Sequence, residues 1–425
     1  MAFGLFCLYK DSQLSQTTPS QKTLLQKGIT KHQLLTIAGL GWMFDALDVG
    51  LLSFLLAALK QDWGLSAQQL GWIGSVNSIG MAVGAFVFGV MADKTGRKSA
   101  FIVTLLLFSI GSGLTALVST LAALLVLRFI IGMGLGGELP VASTLVSESV
   151  EAHERGRIVV VLESFWAFGW LAAALIAYFI IPDYGWRVAM LLSALPALYA
   201  IYLRIHLPDS PHYTQMSAHK KRSSMMDNIR AVWSTDYRRA TIMLWILWFC
   251  VVFSYYGMFL WLPSVMILKG FSLVKSFQYV LIMTLAQLPG YFTAAWLIER
   301  YGRKFVLVSY LVGTAVSAYF FGTADSMTQL LTFGILLSFF NLGAWGAIYA
   351  YTPEQYPTAI RATGAGIAAA VGRIGGILGP LMVGYLVTIN APISLTFALF
   401  CASILVAVMA VIWLGTETRQ TELMS

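Results

Sequence analysis

Between residues 34 and 414 the chain is built of apolar runs about as long as a bilayer is thick, joined mostly by short polar turns. A helix needs about 20 apolar residues to cross the hydrocarbon core. Inside that core every backbone N–H and C=O must be satisfied within the protein, so such runs are read as helices. Twelve are drawn, at 34–58, 70–92, 99–118, 121–147, 158–181, 187–206, 240–268, 276–298, 304–322, 327–350, 362–387 and 392–414. Charged residues make up 11% of the chain, against about 25% in an ordinary soluble domain. The expected fold is therefore an all-α membrane protein of twelve transmembrane helices in two pseudo-symmetric six-helix bundles. The expected divisions are an N-terminal segment (1–33), a first bundle (34–206), a central linker of amphipathic helix and loop (207–239), a second bundle (240–414) and a tail (415–425).

Basic residues set the orientation. Lys10, Lys22, Lys27 and Lys31 precede the first run, and Lys94, Arg97, Lys98, Arg155 and Arg157 occupy later turns. Seven more lie between Arg204 and Arg239, followed by Arg300, Arg303, Lys304, Arg361 and Arg419. All fall in alternate connections, while the opposite set holds only Lys60, Arg187, Lys269 and Lys275. The positive-inside rule places both termini in the cytoplasm, in a multi-pass protein of the inner membrane. The basic clusters are topology determinants, and no nucleic-acid partner is expected. Cys7, Cys250 and Cys401 are too scattered for a disulfide framework, and the five His form no metal-ligand spacing. The first residues lack a signal-peptide layout. No nucleophile–base pair or phosphate loop occurs, so neither an enzyme nor an ATP-driven pump is expected, and no cofactor is called for.

The chain also repeats itself. Gly89 to Lys98, after the second run, carries Asp93, Lys94, Gly96, Arg97 and Lys98; after the eighth run come Glu299, Arg300, Gly302, Arg303 and Lys304. The next such connection holds Glu148, Arg155 and Arg157 in one half, and Glu354, Pro357 and Arg361 in the other. Duplicated acid-and-base turns at matching places indicate two related halves.

The Gly89–Lys98 turn resembles the signature loop of the major facilitator superfamily. The resemblance implies a cytoplasmic latch in which Asp93, Arg97, Lys98, Glu148, Arg157, Glu299, Arg303, Glu354 and Arg361 gate the pathway; otherwise the bases only set topology. Arg128, Glu148, the Arg155–Arg157 run, Pro208 to Pro211 and the Glu354–Arg361 run are similar to the metabolite–proton symporter branch. Gly41 to Asp48, Gly136 to Pro140, Phe253 to Gly257 and Tyr351 to Pro357 resemble bacterial niacin transporters. That family imports nicotinate, and sometimes nicotinamide. The implied partners are a small aromatic monocarboxylate, protons and the lipid bilayer, with the chain acting as a monomer. A sugar or other organic-ion porter of the same superfamily, or a non-transporting membrane sensor, is the alternative.

Ionisable groups within the runs are functional candidates, because each costs at least about 2.5 kcal/mol to insert at mid-membrane. Asp45 and Asp48 share one face of the first helix at i, i+3, and Arg128 in the fourth run is the natural counter-charge. The three form either a proton-coupling group or a static ion pair. A proton carrier must titrate near neutral pH; burial and a neighbouring carboxylate favour the acid form, and a guanidinium favours the ionised one. Glu138 follows a glycine-rich stretch and either braces a close helix contact or acts in transport. Glu163 stands where related sugar porters, by resemblance, carry a Gln; it lines the cavity or serves as a packing or gating charge. Arg373 sits among Gly372, Gly375 and Gly376. It takes either a substrate carboxylate or a fixed acid such as Asp45 or Glu163. Trp166, Phe253, Tyr255, Tyr256, Phe340 and Trp345 are expected as cavity walls for a flat ring. Gln287 and Asn341 are expected as hydrogen-bonding groups.

Overall fold

The computed structural model describes residues 31–95, 97–148, 155–199, 202, 225–357 and 360–418. Among these there is no β-strand. The helices are α1 (Lys31–Asp62), α2 (Ala67–Thr95), α3 (Arg97–Thr115), α4 (Leu121–Glu148), α5 (Arg155–Tyr184) and α6 (Trp186–Leu192). After α7 (Met225–Val232), in the central connection, come α8 (Arg238–Phe259), α9 (Leu262–Leu268), α10 (Leu273–Leu285) and α11 (Gln287–Tyr301). The last four are α12 (Arg303–Thr323), α13 (Met327–Glu354), α14 (Arg361–Thr388) and α15 (Ile393–Leu414). Among the described residues nine helical stretches are long and apolar enough to cross a bilayer. Three shorter apolar ones, Ile102–Thr115, Leu121–Gly136 and Trp186–Tyr199, fall in the third, fourth and sixth expected spans.

Three expected spans are broken rather than continuous, each at a proline. The seventh divides into α8 and α9, with Pro263 in the first turn of α9. The eighth divides into α10 and α11 at Ala286, three residues before Pro289. The sixth turns at Ser193–Leu195, just before Pro196. A proline has no N–H for the carbonyl four residues back and its ring crowds that carbonyl. A hydropathy window is blind to this, because proline hardly lowers the average. The freed carbonyl of Phe259 is not left bare: Ser53 Oγ donates to it at 3.1 Å from α1.

In lipid, apolar surface alone does not drive helices together, so close packing of small residues must. In the first half α2 lies along α4, α1 along α5 and α3 along α4. The α2–α4 contact is backbone to backbone. A Cβ on Gly84 would be driven into the carbonyl of Met133, and one on Gly136 into that of Met81. In the second half α8 packs on α14, and α12 on α13 and α15. There, a Cβ on Gly375 or Gly379 would come within 2.5 Å of the carbonyls of Phe249 or Phe253.

The halves meet along two seams. One joins α2 to α14; the other joins α5 to α10, α11 and α13, with α1 touching α9. Near the α1–α2 turn the seams are tight. Ser75 Oγ donates to Ile377 O at 2.7 Å, and Phe54 meets Phe277 edge-on at 5.1 Å.

Gly136→Val is expected to push α2 and α4 apart and to destabilise the first half by at least about 1–3 kcal/mol, the usual cost of overpacking. Gly366→Ala, where an added Cβ meets nothing within 4 Å, should be neutral or stabilising. Thermal unfolding midpoints of the purified variants in detergent check both.

Candidate transport site

The first constellation lies within the first half. Asp48, just past the middle of α1, is 1% exposed, and Arg128 on α4 is 0% exposed. Arg128 Nη1 meets Asp48 Oδ2 at 3.2 Å. The other carboxylate oxygen accepts a very short bond from Ser112 Oγ on α3. Arg128 Nη2 reaches Thr115 Oγ1 at 3.5 Å and Met190 Sδ, on α6, at 3.4 Å. Its Nε is buried without a hydrogen-bond partner. Four helices thus converge on one ion pair. Asp45, one turn earlier, is buried as well. Of the two aspartates expected at this position, Asp48 is the one ion-paired to Arg128.

The second constellation lies between the halves and is mainly aromatic. Glu163, on α5 and 1% exposed, accepts a bond from Trp42 Nε1 of α1 at 3.1 Å. One turn along α5, Trp166 lies 5.0 Å from the Trp42 ring and donates through Nε1 to Tyr255 Oη of α8 at 2.7 Å. Tyr255 leans on Trp345 of α13 at 4.7 Å and meets Tyr256 edge-on at 5.3 Å. Tyr349, one turn from Trp345, closes the wall against Trp248 at 5.2 Å and Trp42 at 6.3 Å. Arg373, half-buried on α14, reaches Tyr256 Oη at 3.4 Å and Met81 Sδ of α2 at 3.5 Å.

Of the two partners expected for Arg373, the fixed acid is not found among the described residues, and Glu163 is bonded instead by the indole N–H of Trp42. Arg373 has no carboxylate within 4.0 Å among the described residues, its contacts being a hydroxyl and a thioether. Two aromatic assignments also change. Phe253 stacks on Phe249 and packs against Phe400, and Phe340 packs against Tyr310 and Phe339. Both fill contacts within the second half. The helical period explains it: Phe253 stands roughly 200° around α8 from Tyr255, and Phe340 about 140° around α13 from Trp345.

Several buried polar atoms beside the aromatic wall have no hydrogen-bond partner among the described residues. They are both amide atoms of Gln287, Oδ1 of Asn341, the Tyr291 hydroxyl and Nε1 of Trp345. Gln287 and Tyr291 are one turn apart on α11, and Asn341 and Trp345 one turn apart on α13. Buried polar groups are nearly always bonded, and each exception asks for an explanation. A polar ligand entering between the halves supplies one.

The third constellation gathers acid–base residues of the second half. Arg303, at the start of α12, forms a two-pronged bond with Glu299 at 3.2 Å for each prong and an ion pair with Glu354 at 3.2 Å. Arg361 donates through Nε to the carbonyls of Pro353 and Tyr356. The tail joins in: Thr418 Oγ1 donates to Glu354 at 2.6 Å, and Glu417 accepts from the backbone N–H of Arg303 and Lys304 at 2.8 and 3.0 Å. A carboxylate on the first amides of a helix is a favourable cap. The first-half side chains of the expected latch, Asp93, Arg97, Lys98, Glu148 and Arg157, lie outside the described residues, as does that of Glu138.

A family model described as Major Facilitator Superfamily matches residues 38–290 and 279–423. The chain belongs to this superfamily. A Bacillus subtilis relative, whose name assigns it provisionally to niacin or nicotinamide transport, is 66% identical over 398 residues, 94% of this chain and 99% of the relative. The niacin transporter of Acinetobacter baylyi is 47% identical over 414 residues, 91% of this chain and 94% of its own. Among solved structures, a partially occluded inward-open form of the xylose transporter XylE from E. coli superposes with a TM-score of 0.75 at 18% identity, over 92% of this chain and 99% of that one. At that identity the likeness is one of fold.

In this facilitator the helical period could have pointed to the site residues that reading by type passed over. Tyr349 lies eight residues after Asn341 and four after Trp345; Tyr291 lies four after Gln287. Trp42 and Ser112 carry no local signal, since only the packing of α1 on α5 and of α3 beside α1 brings them to their acids.

Arg128→Met would leave Asp48 buried without its cation, and loss of one partner of a buried pair costs about 3–5 kcal/mol. Arg128→Met combined with Asp48→Asn is expected to regain most of that. Unfolding midpoints of the single and double variants check the coupling.

Proposed function

We propose that this facilitator imports niacin, nicotinate foremost, across the cytoplasmic membrane by alternating access, driven by the inward proton gradient. The observation that carries the reading is Arg373. It is a guanidinium between the two halves, beside an aromatic wall, with no carboxylate within 4.0 Å among the described residues. An arginine presents a planar fork of donors that matches a carboxylate in two parallel bonds. A flat heteroaromatic ring would lie against Tyr255, Trp345 and Tyr349, with offset or edge contacts worth about 0.5–1.5 kcal/mol each beyond burial. Gln287, Asn341, Tyr256, Trp166 and Glu163 complete the surroundings. The names of the two relatives, at 66% and 47% identity, support the same substrate.

The basic connections support a protein with both termini in the cytoplasm. The tight end of the seams, near the α1–α2 turn, is then the outer one, and the arrangement is inward-facing. The bundles 34–206 and 240–414 rock about the site, joined by the linker at 207–239, with one chain as the working unit. On the cytoplasmic side the Glu299–Arg303–Glu354 cluster, Arg361 and the first-half latch residues close the outward-facing state.

Proton coupling is assigned to Asp48. Here it is ion-paired with Arg128 inside the first half; the proposed coupling step is a shift of α1 against α4, linked to the rocking of the halves, that opens this pair and lets the carboxylate exchange a proton. Linkage between protonation and conformation is what symport requires.

Arg373→Ala is expected to weaken nicotinate binding by about ten- to a hundredfold, the worth of a charge-assisted hydrogen bond, and nicotinamide binding much less. Calorimetric titration with both compounds checks this; an equal loss for the two would make Arg373 a structural residue. Asp48→Asn keeps an oxygen for Arg128 and is expected to abolish accumulation of labelled nicotinate under an imposed inward proton gradient, while sparing counterflow between equal pools. Accumulation by Asp48→Asn proteoliposomes would remove Asp48 from the coupling.

A further inference from the structure

Among the described residues Glu163 is the acid hydrogen-bonded within the aromatic cluster, and its setting is unusual for a carboxyl group. The residues around it come from four helices. Trp42 approaches from α1 and Trp166 from its own helix; Tyr291 of α11 and Tyr349 of α13 lie within electrostatic reach. None is a cation, and no Lys, Arg or His lies within 4.0 Å of it among the described residues. A buried carboxylate without a cation is costly unless it is neutralised or paired. Glu163 has one hydrogen bond, and that bond orients it. An indole N–H can only donate, so Oε2 must be the accepting oxygen, and any proton the group carries belongs on Oε1. Among the described residues Oε1 takes part in no hydrogen bond, the Trp42 bond falling on Oε2.

The aromatic cluster connects Glu163 to Arg373: Tyr349 lies 6.3 Å from the Trp42 ring that bonds Glu163, and Tyr256, which meets Arg373, stands edge-on to the Tyr255 that leans on Trp345. The cluster therefore borders both a donor fork and a carboxyl group. A pyridine carboxylate is polar at two places: an anionic group that accepts from Arg373, and a ring nitrogen whose lone pair accepts one hydrogen bond. The indole donors of Trp42, Trp166 and Trp248 are already used, by Glu163, Tyr255 and Thr352; Trp345 Nε1, the Gln287 amide and the Tyr291 hydroxyl are the competing donors, and the Glu163 variants below separate them from Glu163.

We propose that Glu163 recognises the ring nitrogen of the substrate, sharing one proton between Oε1 and that nitrogen, so that it sets the preference for a pyridine carboxylate over a benzene carboxylate. The inference rests on the niacin reading above and deepens it. The proton balance is simple. One proton lies between the two atoms whether it is drawn on the acid or on the pyridinium, and it is the proton of the Glu163 carboxyl group, separate from the one assigned to Asp48. Trp42 is the positioning residue, because its bond to Oε2 turns Oε1 toward the substrate. The proposal also gives the Trp42–Glu163 contact a purpose that packing alone does not require.

The test compares nicotinate with benzoate, which has the same carboxylate and ring shape but no nitrogen, by calorimetric titration of the purified full chain. Wild type should prefer nicotinate by about tenfold or more, as expected when a site built to hydrogen-bond a group meets an analogue lacking it. Glu163→Leu should lose that preference by weakening nicotinate while leaving benzoate unchanged or tighter. Glu163→Gln retains an N–H donor and should keep most of the preference. If the leucine variant does not fold, pH decides between the remaining proteins. Wild-type nicotinate affinity should fall as pH rises and the shared proton is lost, while that of Glu163→Gln should be flat and benzoate affinity should show no such fall in either protein. Wild type binding nicotinate and benzoate equally, a leucine variant keeping the wild-type ratio, or identical pH profiles in wild type and Glu163→Gln would each overturn the assignment. Absence of nicotinate binding in wild type would instead overturn the niacin reading itself.

Discussion

A polar group placed in hydrocarbon has no water to fall back on, and the rest of this structure follows from that constraint. It makes the spans helical, because a helix satisfies its own backbone. It determines what happens where a helix is interrupted: the carbonyl that Pro263 cannot serve takes its hydrogen bond from Ser53 of the other half. A break in one bundle thus becomes a tie between bundles. Arg128 is held under the same constraint, by a carboxylate and by weaker contacts to Thr115 and Met190. A charge with that many fixed neighbours changes state only when the helices around it move.

The backbone contact between α2 and α4 has a second consequence. Gly84 and Gly136 bring two main chains into direct touch, which makes the first half stiff where α2 forms a seam with α14. Met81 lies at this point: its carbonyl faces Gly136 and its sulfur faces Arg373. The position of Arg373 is therefore tied to the packing of the opposite bundle, the kind of connection an alternating-access carrier needs between the two halves.

Three charged groups separate by environment. Among the described residues Asp48 has a cation and a hydroxyl, Glu163 an indole and no cation within 4.0 Å, and Arg373 a hydroxyl, a thioether and no anion within 4.0 Å. These differences divide the work: Asp48 suits coupling, while the unmet valences of Glu163 and Arg373 suit a ligand. The cluster of Glu299, Arg303 and Glu354 is satisfied within its own half and by the tail, so it can stay assembled while the halves rock.

Much of this was legible in residue order. The lengths of the apolar runs and the alternation of basic turns implied a helical membrane protein of twelve spans, because the thickness of hydrocarbon and the cost of exposed backbone leave few other solutions. The duplicated turns implied two halves, and charges within apolar runs marked Asp48, Arg128, Glu163 and Arg373, because insertion of a charge is too costly to be casual. What residue order could not supply was the partner of each. Glu163 with Trp42 spans 121 positions and Arg373 with Tyr256 spans 117, and nothing in the local chain encodes such pairs. The rotational setting of aromatics was also beyond it: Phe253 and Tyr255 are two residues apart and face different neighbours. Residue type and run length report the solvent a segment must live in; which polar groups meet there is decided only when helices pack, since that choice depends on the angle of each helix about its own axis.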